Sequence, residues 1–296
     1  MNYSIGNERY ALDPEWGQLP KGYEFRQVAG VAVDSSDNVY VFNRSEHMLM
    51  VFDKEGHLVK VWDRKFAQPH GTHVDNDGNV YLVDRDTHLV EKFSPDEELL
   101  LTLGNKNTPS DTGDVRDGWL VERPGEPHNM PTGVATSVNG DIFVSDGYGN
   151  CRVHKFNSAG QLLDSWGMPG TDKPGEYHLP HGIGIDPLGR VLVCDRENHR
   201  IQVISQEGKH IAIWTGFRQP TSVAFDYEER IYVAELQSRL SIIDYNGNII
   251  SRWGGEESRD PGKFVAPHCV AVDSKGDVYV GEVLEGMRIQ KFVRGG

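Results

Sequence analysis

The sequence has 296 residues, of which 38% are hydrophobic, and its formal net charge is −14. Such a length allows one large domain or two ordinary ones, and no apolar run approaches the roughly 18 residues that a membrane helix needs. The excess of acidic residues argues against nucleic acid and anionic membrane as partners.

The N-terminal segment MNYSIGNERYALDPEWG has no basic start followed by an apolar stretch, so no secretory signal is expected. Three cysteines are too few for a disulfide framework, and their number is odd. We therefore predict a cytoplasmic protein. The segment also ends in Trp-Gly, as later strands do, and we predict that Tyr10–Trp16 adds a strand to the last repeat.

Six repeats follow, each with an alternating apolar strand, a turn of the Asp-x-x-Gly-Asn/Asp type, and a second strand that mostly ends in an acidic residue. In chain order they begin at Val28, Gln68, Met130, Leu179, Gln219 and Ala266. Alternation with a period of two indicates half-buried strands, and Gly and Asn supply the positive φ angles of tight hairpins. A third and a fourth strand complete each repeat, except that the sixth lacks its last strand.

Six repeats of four strands and about 40 residues predict an all-β, six-bladed β-propeller. The ring would be closed by the N-terminal strand, and residues 1–296 would form a single domain. A stack of two-sheet β-sandwiches is the alternative, but the even spacing and the N-terminal completion disfavour it. Residues 105–129, between repeats two and three, are rich in Gly, Pro, Asp and Thr and are expected to form a long loop.

One slot at the start of the first strand holds histidine in every second repeat. From the first repeat to the sixth, the slot contains Ala29, His70, Thr132, His181, Thr221 and His268. A proline precedes each histidine, and its fixed φ angle restricts the direction in which the backbone enters the slot. Because alternate blades of a propeller are related by about 120°, three imidazoles should converge, as in a catalytic zinc site with an open position. A surface or structural role for each histidine is the alternative.

Three further candidates follow the second strands of their repeats, namely Arg44, Tyr148 and Arg196. Two arginines beside a metal would suit a carboxylate substrate, because a guanidinium group binds a carboxylate through two parallel hydrogen bonds. A tyrosine close to those cations could serve as a general base. The alternative for each arginine is a surface ion pair.

The segments LVCDRENHRIQVI and FVSDGYGNCRVHKF, with PHGTHVDNDGNVYLVD and PHCVAVD, resemble the NHL-repeat propeller of the peptidyl-α-hydroxyglycine α-amidating lyase family. The resemblance spans nearly the whole chain. It implies a zinc ion held by His70, His181 and His268. It also implies a catalytic tyrosine at Tyr148, with active-site arginines at Arg44 and Arg196.

The resemblance further implies a calcium ion bound by the backbone carbonyls of Val31 and Thr72 and by a carboxylate. Cys269 stands at the carboxylate position, and a thiol is a poor ligand for calcium, so weak or absent calcium is expected. The family's disulfide positions are also without cysteine here. Those positions hold Asn129, Gly149, Leu192 and Val203.

These features predict a metal-dependent carbon–nitrogen lyase that converts an α-hydroxyglycine-type carbinolamide into an amide and glyoxylate. The expected cofactor is Zn²⁺ or another divalent metal, and the expected partner is a small α-hydroxy acid or amide, with no nucleic acid and no membrane. Two alternatives stay open. One is another metal-dependent lyase or hydrolase acting on a small α-hydroxy acid, and the other is a non-catalytic NHL-repeat binding scaffold.

Overall fold

The computed structural model describes residues 2–115 and 117–295, and these residues form an all-β protein. A short 3-10 turn at Asp117–Trp119 is the one helical element among them. Nowhere in the described ranges is a helix long and apolar enough to cross a membrane.

The first half of the chain contains a hairpin and three blades. The hairpin is β1 (Asn2–Ile5) and β2 (Glu8–Asp13). Blade one is β3 (Val28–Val33), β4 (Val39–Asn43), β5 (Leu49–Phe52) and β6 (Leu58–Trp62). Blade two is β7 (Pro69–Val74), β8 (Val80–Asp84), β9 (Leu89–Phe93) and β10 (Leu99–Leu103). Blade three is β11 (Pro131–Thr136), β12 (Ile142–Asp146), β13 (Arg152–Phe156) and β14 (Leu162–Trp166).

Three more blades follow two short strands, β15 (Met168–Pro169) and β16 (Glu176–Tyr177). Blade four is β17 (Pro180–Ile185), β18 (Val191–Asp195), β19 (Arg200–Ile204) and β20 (His210–Trp214). Blade five is β21 (Pro220–Phe225), β22 (Arg230–Glu235), β23 (Arg239–Asp244) and β24 (Ile249–Gly254). Blade six is β25 (Pro267–Val272), β26 (Val278–Glu282) and β27 (Arg288–Gly295).

The repeated turn explains why the first two strands of each blade pair as a hairpin. In blade two, the carboxylate of Asp75 accepts hydrogen bonds from the backbone N–H groups of Asp77 and Asn79 at 3.0 and 2.9 Å. Gly78 has a φ of 80°, a conformation that glycine adopts without steric cost. The side chain thus imitates a backbone turn and reverses the chain. The predicted six-bladed propeller is confirmed.

The N-terminal strand completes blade six, as predicted, but its bounds differ. Strand β2 pairs antiparallel with β27, from Arg9 opposite Gly295 to Asp13 opposite Lys291. Strand β1 then adds a fifth strand at the edge of that sheet. Trp16 lies beyond β2, where its ring packs on Phe52 at a centroid distance of 5.3 Å.

The chain divides into two compact halves, each with three blades and its own apolar clusters. The central half is Phe66–Pro220, and the terminal half comprises the described residues up to Lys65 and from Thr221 onward. The single domain over residues 1–296 stays a prediction. Cys151, Cys194 and Cys269 are buried and free, as expected for a chain without a disulfide framework.

The long insertion carries little regular structure, as predicted. Besides the 3-10 turn, the described residues of the insertion contain one isolated bridge, between Val115 and Leu120. Its last part is anchored in the central half, where His128 is fully buried. The Nε2 atom of His128 has no hydrogen-bond partner among the described residues, while its Nδ1 atom lies 3.3 Å from the carbonyl oxygen of His88.

Burial, reinforced by the positive charge that nearby His154 can carry, lowers the pKa of His128 from its usual 6.5 to about 4. An unfolded chain therefore binds a proton in the window between pH 6.5 and 4 that the folded chain rejects. As the pH is lowered from 6.5 to about 4, the free energy of unfolding should decrease by about 1.4 kcal/mol per pH unit through this one group. Urea unfolding at several pH values should show a flatter dependence for His128→Asn.

The control is His210→Asn, which changes an exposed histidine on the outer strand of blade four and should keep the parent's slope. Equal slopes for the parent and for His128→Asn would show that another group carries the acid sensitivity.

Candidate metal and tyrosine site

The histidine slot lies at an irregularity of the sheet. Between the first and second strands of blades one to four and six, the pairing register shifts at the slot. Such β-bulges re-aim a side chain and are frequent next to active sites. His70, His181 and His268 are therefore presented from irregular backbone, although each belongs to a regular blade.

A buried carboxylate at the end of the second strand holds the segment in front of each Pro-His pair. The carboxylate accepts hydrogen bonds from backbone N–H groups of that segment, so these strand-end acids have a structural role. The acceptors and donors are Asp84 with Ala67 and Gln68 at 2.8 and 2.9 Å, Asp195 with His178 at 2.9 Å, and Glu282 with Val265 at 2.6 Å. Burial raises the pKa of the Glu282 carboxyl group, and the neighbouring Arg288 opposes the rise.

The three slot histidines are almost completely buried, and each offers one ring nitrogen as a possible metal ligand. The Nδ1 atom of His70 lies 2.6 Å from the carbonyl oxygen of Thr132, and that of His268 lies 2.8 Å from the carbonyl oxygen of Ala29. A carbonyl can only accept, so Nδ1 carries the proton in both rings. The Nε2 atom then keeps its lone pair, which is the usual arrangement of a metal-binding histidine.

In the central half, His70 and His181 come together with Tyr148. The imidazole centroids are 4.7 Å apart, and the candidate ligand nitrogens lie within 4.8 Å of each other. The Nε2 atom of His70 is 3.5 Å from the hydroxyl oxygen of Tyr148. The predicted tyrosine therefore lies beside two of the three predicted metal ligands.

Two guanidinium groups flank the ring of Tyr148. Arg196 donates a hydrogen bond from Nη1 to the phenolic oxygen at 3.1 Å, and its Cζ atom lies 5.3 Å from the ring centroid. Arg196 also pairs with Glu197 at 2.8 Å. Burial alone would raise the pKa of Glu197, but the charge of Arg196 lowers it below the usual value. The ion pair fixes the guanidinium group against the tyrosine.

Arg85 is the second of these groups, and the sequence analysis missed it. Its Cζ atom lies 4.9 Å from the centroid of the Tyr148 ring, and its Nε atom pairs with Asp86 at 2.7 Å. The signal was present, because Arg85 follows the second strand of blade two just as Arg44 and Arg196 follow theirs.

Apolar side chains pack against Tyr148. Met130 and Leu179 are buried against it, and the indole of Trp119 meets it edge to face at 4.7 Å. Met130 and Leu179 have φ angles of 63° and 59°, a left-handed conformation that is uncommon outside glycine. Strain of this kind concentrates at functional sites.

The terminal half contains His268, Arg44 and Cys269. The Nη1 atom of Arg44 donates to the side-chain oxygen of Gln27 at 2.7 Å, so this guanidinium group has a fixed partner on the preceding loop. Its positive charge acts on Cys269, but burial dominates and raises the pKa of that thiol. The Sγ atom lies 3.6 Å from the carbonyl oxygen of Val28.

The side chain of Cys269 ends in sulfur and offers no oxygen to a calcium ion, which prefers carboxylates and carbonyls. Val31 lies in β3 opposite Val41, and Thr72 lies in β7 opposite Leu82. The weak or absent calcium site stays a prediction.

The NHL-repeat family model matches residues 66–93, 129–156, 178–204 and 264–292. These segments contain all three Pro-His pairs and lie in blades two, three, four and six. The chain also has a fold similar to that of virginiamycin B lyase from Staphylococcus aureus. The TM-score is 0.63 at 12% identity, with 92% of this chain and 97% of that one covered. At such low identity, the likeness concerns the fold alone.

Two curated relatives extend the similarity in sequence. Peptidyl-alpha-hydroxyglycine alpha-amidating lyase 1 of Drosophila melanogaster is 27% identical over 198 residues, covering 55% of this chain and 35% of its own length. NHL repeat-containing protein 3 of Homo sapiens is 31% identical over 301 residues, covering 96% of this chain and 84% of its own length. The chain is thus distantly homologous to amidating lyases, and it belongs to the NHL repeat-containing protein family represented by NHL repeat-containing protein 3.

Proposed function

We propose that this protein is a metal-dependent lyase that cleaves an N-acyl-α-hydroxyglycine to an amide and glyoxylate. One observation carries the proposal: the hydroxyl group of Tyr148 lies between an imidazole of a Pro-His pair and a buried guanidinium group, at 3.5 Å from His70 and 3.1 Å from Arg196. In this arrangement Tyr148 can accept a proton, the slot histidines can bind a metal, and the arginines can attract a carboxylate. The distant homology to lyases supports the same reaction class.

His70, His181 and His268 would together hold one divalent metal, with zinc as our first choice. Their fit rests on burial, on their equivalent slots, and on the carbonyl groups that fix the tautomers of His70 and His268. When bound, such a metal supplies Lewis-acid polarisation of a substrate oxygen. Three neutral imidazoles leave the metal's double charge uncompensated, which suits an anionic substrate.

Tyr148 would act as the general base and then as the general acid. Its oxygen takes the proton of the substrate's α-hydroxyl group, and the resulting oxyanion collapses to the aldehyde of glyoxylate. The carbon–nitrogen bond breaks, its electron pair goes to nitrogen, and Tyr148 returns the proton to that nitrogen. The products are R–CO–NH₂ and OHC–COO⁻, and the enzyme ends in its starting protonation state.

The arginines would orient the substrate and hold Tyr148 in place. Arg196 already donates to the phenolic oxygen, so it stabilises negative charge there while the proton moves. Arg85 and Arg44 would attract the carboxylate of the substrate. Arg196 would therefore position the general base Tyr148, and its role would not be limited to binding the carboxylate.

The direct test follows glyoxylate and amide released from α-hydroxyhippurate by the metal-loaded protein. The proposal requires both products in equal amounts. Metal-loaded protein that releases neither product from any N-acyl-α-hydroxyglycine would overturn it. Turnover of a different small α-hydroxy acid by the same preparation would then favour the alternative, another metal-dependent lyase or hydrolase.

Arg196→Lys should reduce kcat by about tenfold to a hundredfold, the range for losing one charge-assisted hydrogen bond. Lysine keeps the charge, but its single ammonium group cannot engage Glu197 and Tyr148 together as the guanidinium group does. Steady-state kinetics with α-hydroxyhippurate will measure the loss. Arg259→Lys, which changes an exposed arginine paired with Glu285, is the control. An unchanged kcat in Arg196→Lys would refute the positioning role.

A further inference from the structure

An apolar cleft with a volume of about 80 Å³ lies beside Tyr148 in the central half. The long insertion forms one wall, and the segments around β15 and β16 form the other. Its main apolar lining is Trp119, Leu120, Val121, Pro169, Tyr177 and Leu179. No Asp, Glu, Lys or Arg is found among the lining residues that the structure describes, although 25% of the chain is charged. The cleft is therefore suited to an uncharged, apolar group.

The cleft is continuous with the tyrosine site through two side chains. Trp119 lines the cleft and also meets the ring of Tyr148 at a centroid distance of 4.7 Å. Leu179 lines the cleft from the opposite side and packs in the same buried cluster as Tyr148. A ligand with its reacting carbon at the Tyr148 hydroxyl group could therefore extend an attached apolar group into the cleft.

The backbone of the insertion is held in the conformation that presents Trp119. Gly118 and Trp119 both have positive φ angles, of 70° and 55°, and such a conformation is a true outlier for a bulky residue. Hydrogen bonds in both directions between Val115 and Leu120 close this turn. The Nε2 atom of His178 lies 2.8 Å from the carbonyl oxygen of Gly118 and ties the turn to the other wall. These hydrogen bonds thus hold the wall that carries Trp119 in place.

We propose that this cleft binds the apolar acyl group of the substrate, and that the protein prefers a compact aromatic or branched acyl group over acetyl. This inference rests on the proposed lyase function, because it assigns the R group of R–CO–NH–CH(OH)–COO⁻. The volume of about 80 Å³ lies well below the range for drug-sized ligand sites, so the cleft has room for no more than one compact group of about benzoyl size. Indole and phenol rings in the walls favour a flat aromatic occupant.

The test compares binding of two unreactive analogues, N-benzoylglycine and N-acetylglycine, to the metal-loaded protein by calorimetry. Burial of the phenyl ring should make the benzoyl compound bind on the order of tenfold to a hundredfold more tightly. Leu120→Asp places a charge at a half-exposed position of the wall, and Thr171→Trp fills the cleft from its exposed rim. Both variants should reduce the preference to less than about threefold, while N-acetylglycine binds as before.

Leu188→Asp is the matched control, because Leu188 is an exposed leucine in the β17–β18 turn and should leave the preference unchanged. Equal binding of the two analogues by the parent, or a preference that survives both cleft variants, would overturn the inference even if glyoxylate is released. A preference that both variants abolish, in a protein that releases no glyoxylate from α-hydroxyhippurate, would confirm the cleft as an acyl site and refute the lyase function.

Discussion

Tyr148→Phe is expected to lower kcat for α-hydroxyhippurate by on the order of a hundredfold to ten-thousandfold, the usual effect of removing a general base. Phenylalanine keeps the ring that packs on Trp119 and Leu179, so the fold and the cleft should be preserved. It removes the oxygen that lies beside His70 and Arg196. Metal content, measured on the same preparation, should stay at the parent's level.

Tyr81→Phe provides the control. Tyr81 is a buried tyrosine in the same half, and its hydroxyl group donates to Asp75 at 3.1 Å in the hairpin turn of blade two. This variant should be somewhat less stable than the parent, because it loses that hydrogen bond, but it should keep kcat. If Tyr148→Phe turns over α-hydroxyhippurate as fast as the parent, Tyr148 is not the base.

The second large effect concerns the Pro-His histidines. His70→Ala, His181→Ala and His268→Ala should each weaken metal binding by more than about a hundredfold, because even residues behind the ligands change affinity by tenfold to a hundredfold. Each variant should lose glyoxylate release in parallel. Elemental analysis after gel filtration gives the metal content, and circular dichroism checks the fold.

His73→Ala separates a ligand role from a general effect on the first strand. His73 lies in the same strand as His70, but outside the slot, and its Nε2 atom lies 2.8 Å from the hydroxyl oxygen of Thr136. This variant should retain its metal. Full metal content in all three slot variants would refute the ligand assignment.

The repeat made most of the fold predictable, because each blade is specified by local signals. Alternating strands and an Asp-Gly turn recur at even spacing, and the structure has a hairpin at each such place. The N-terminal hairpin was only partly predicted. Gly6 and Asn7 form a two-residue loop between β1 and β2, with a φ of 57° at Gly6, and this hairpin signal was overlooked. The strand consequently begins and ends earlier than predicted.

The candidate site was predictable where it follows the repeat and unpredictable where it does not. The slot histidines, Tyr148 and Arg196 all occupy repeat positions, and Arg85 could have been found by extending the same comparison. Trp119 could not be found in this way, because it belongs to the insertion and no repeat fixes its place. Its contact with Tyr148 depends on a left-handed turn and on a hydrogen bond from a distant segment, which local sequence does not specify.

The most direct test of a metal-dependent lyase is a zinc titration of protein that has been stripped by a chelator. Glyoxylate release from α-hydroxyhippurate is followed at each addition of zinc. The proposed site predicts almost no release without metal and a linear rise that ends at one equivalent per chain. Full release by protein that contains no detectable metal would contradict the proposal, as would no release at one equivalent of bound zinc.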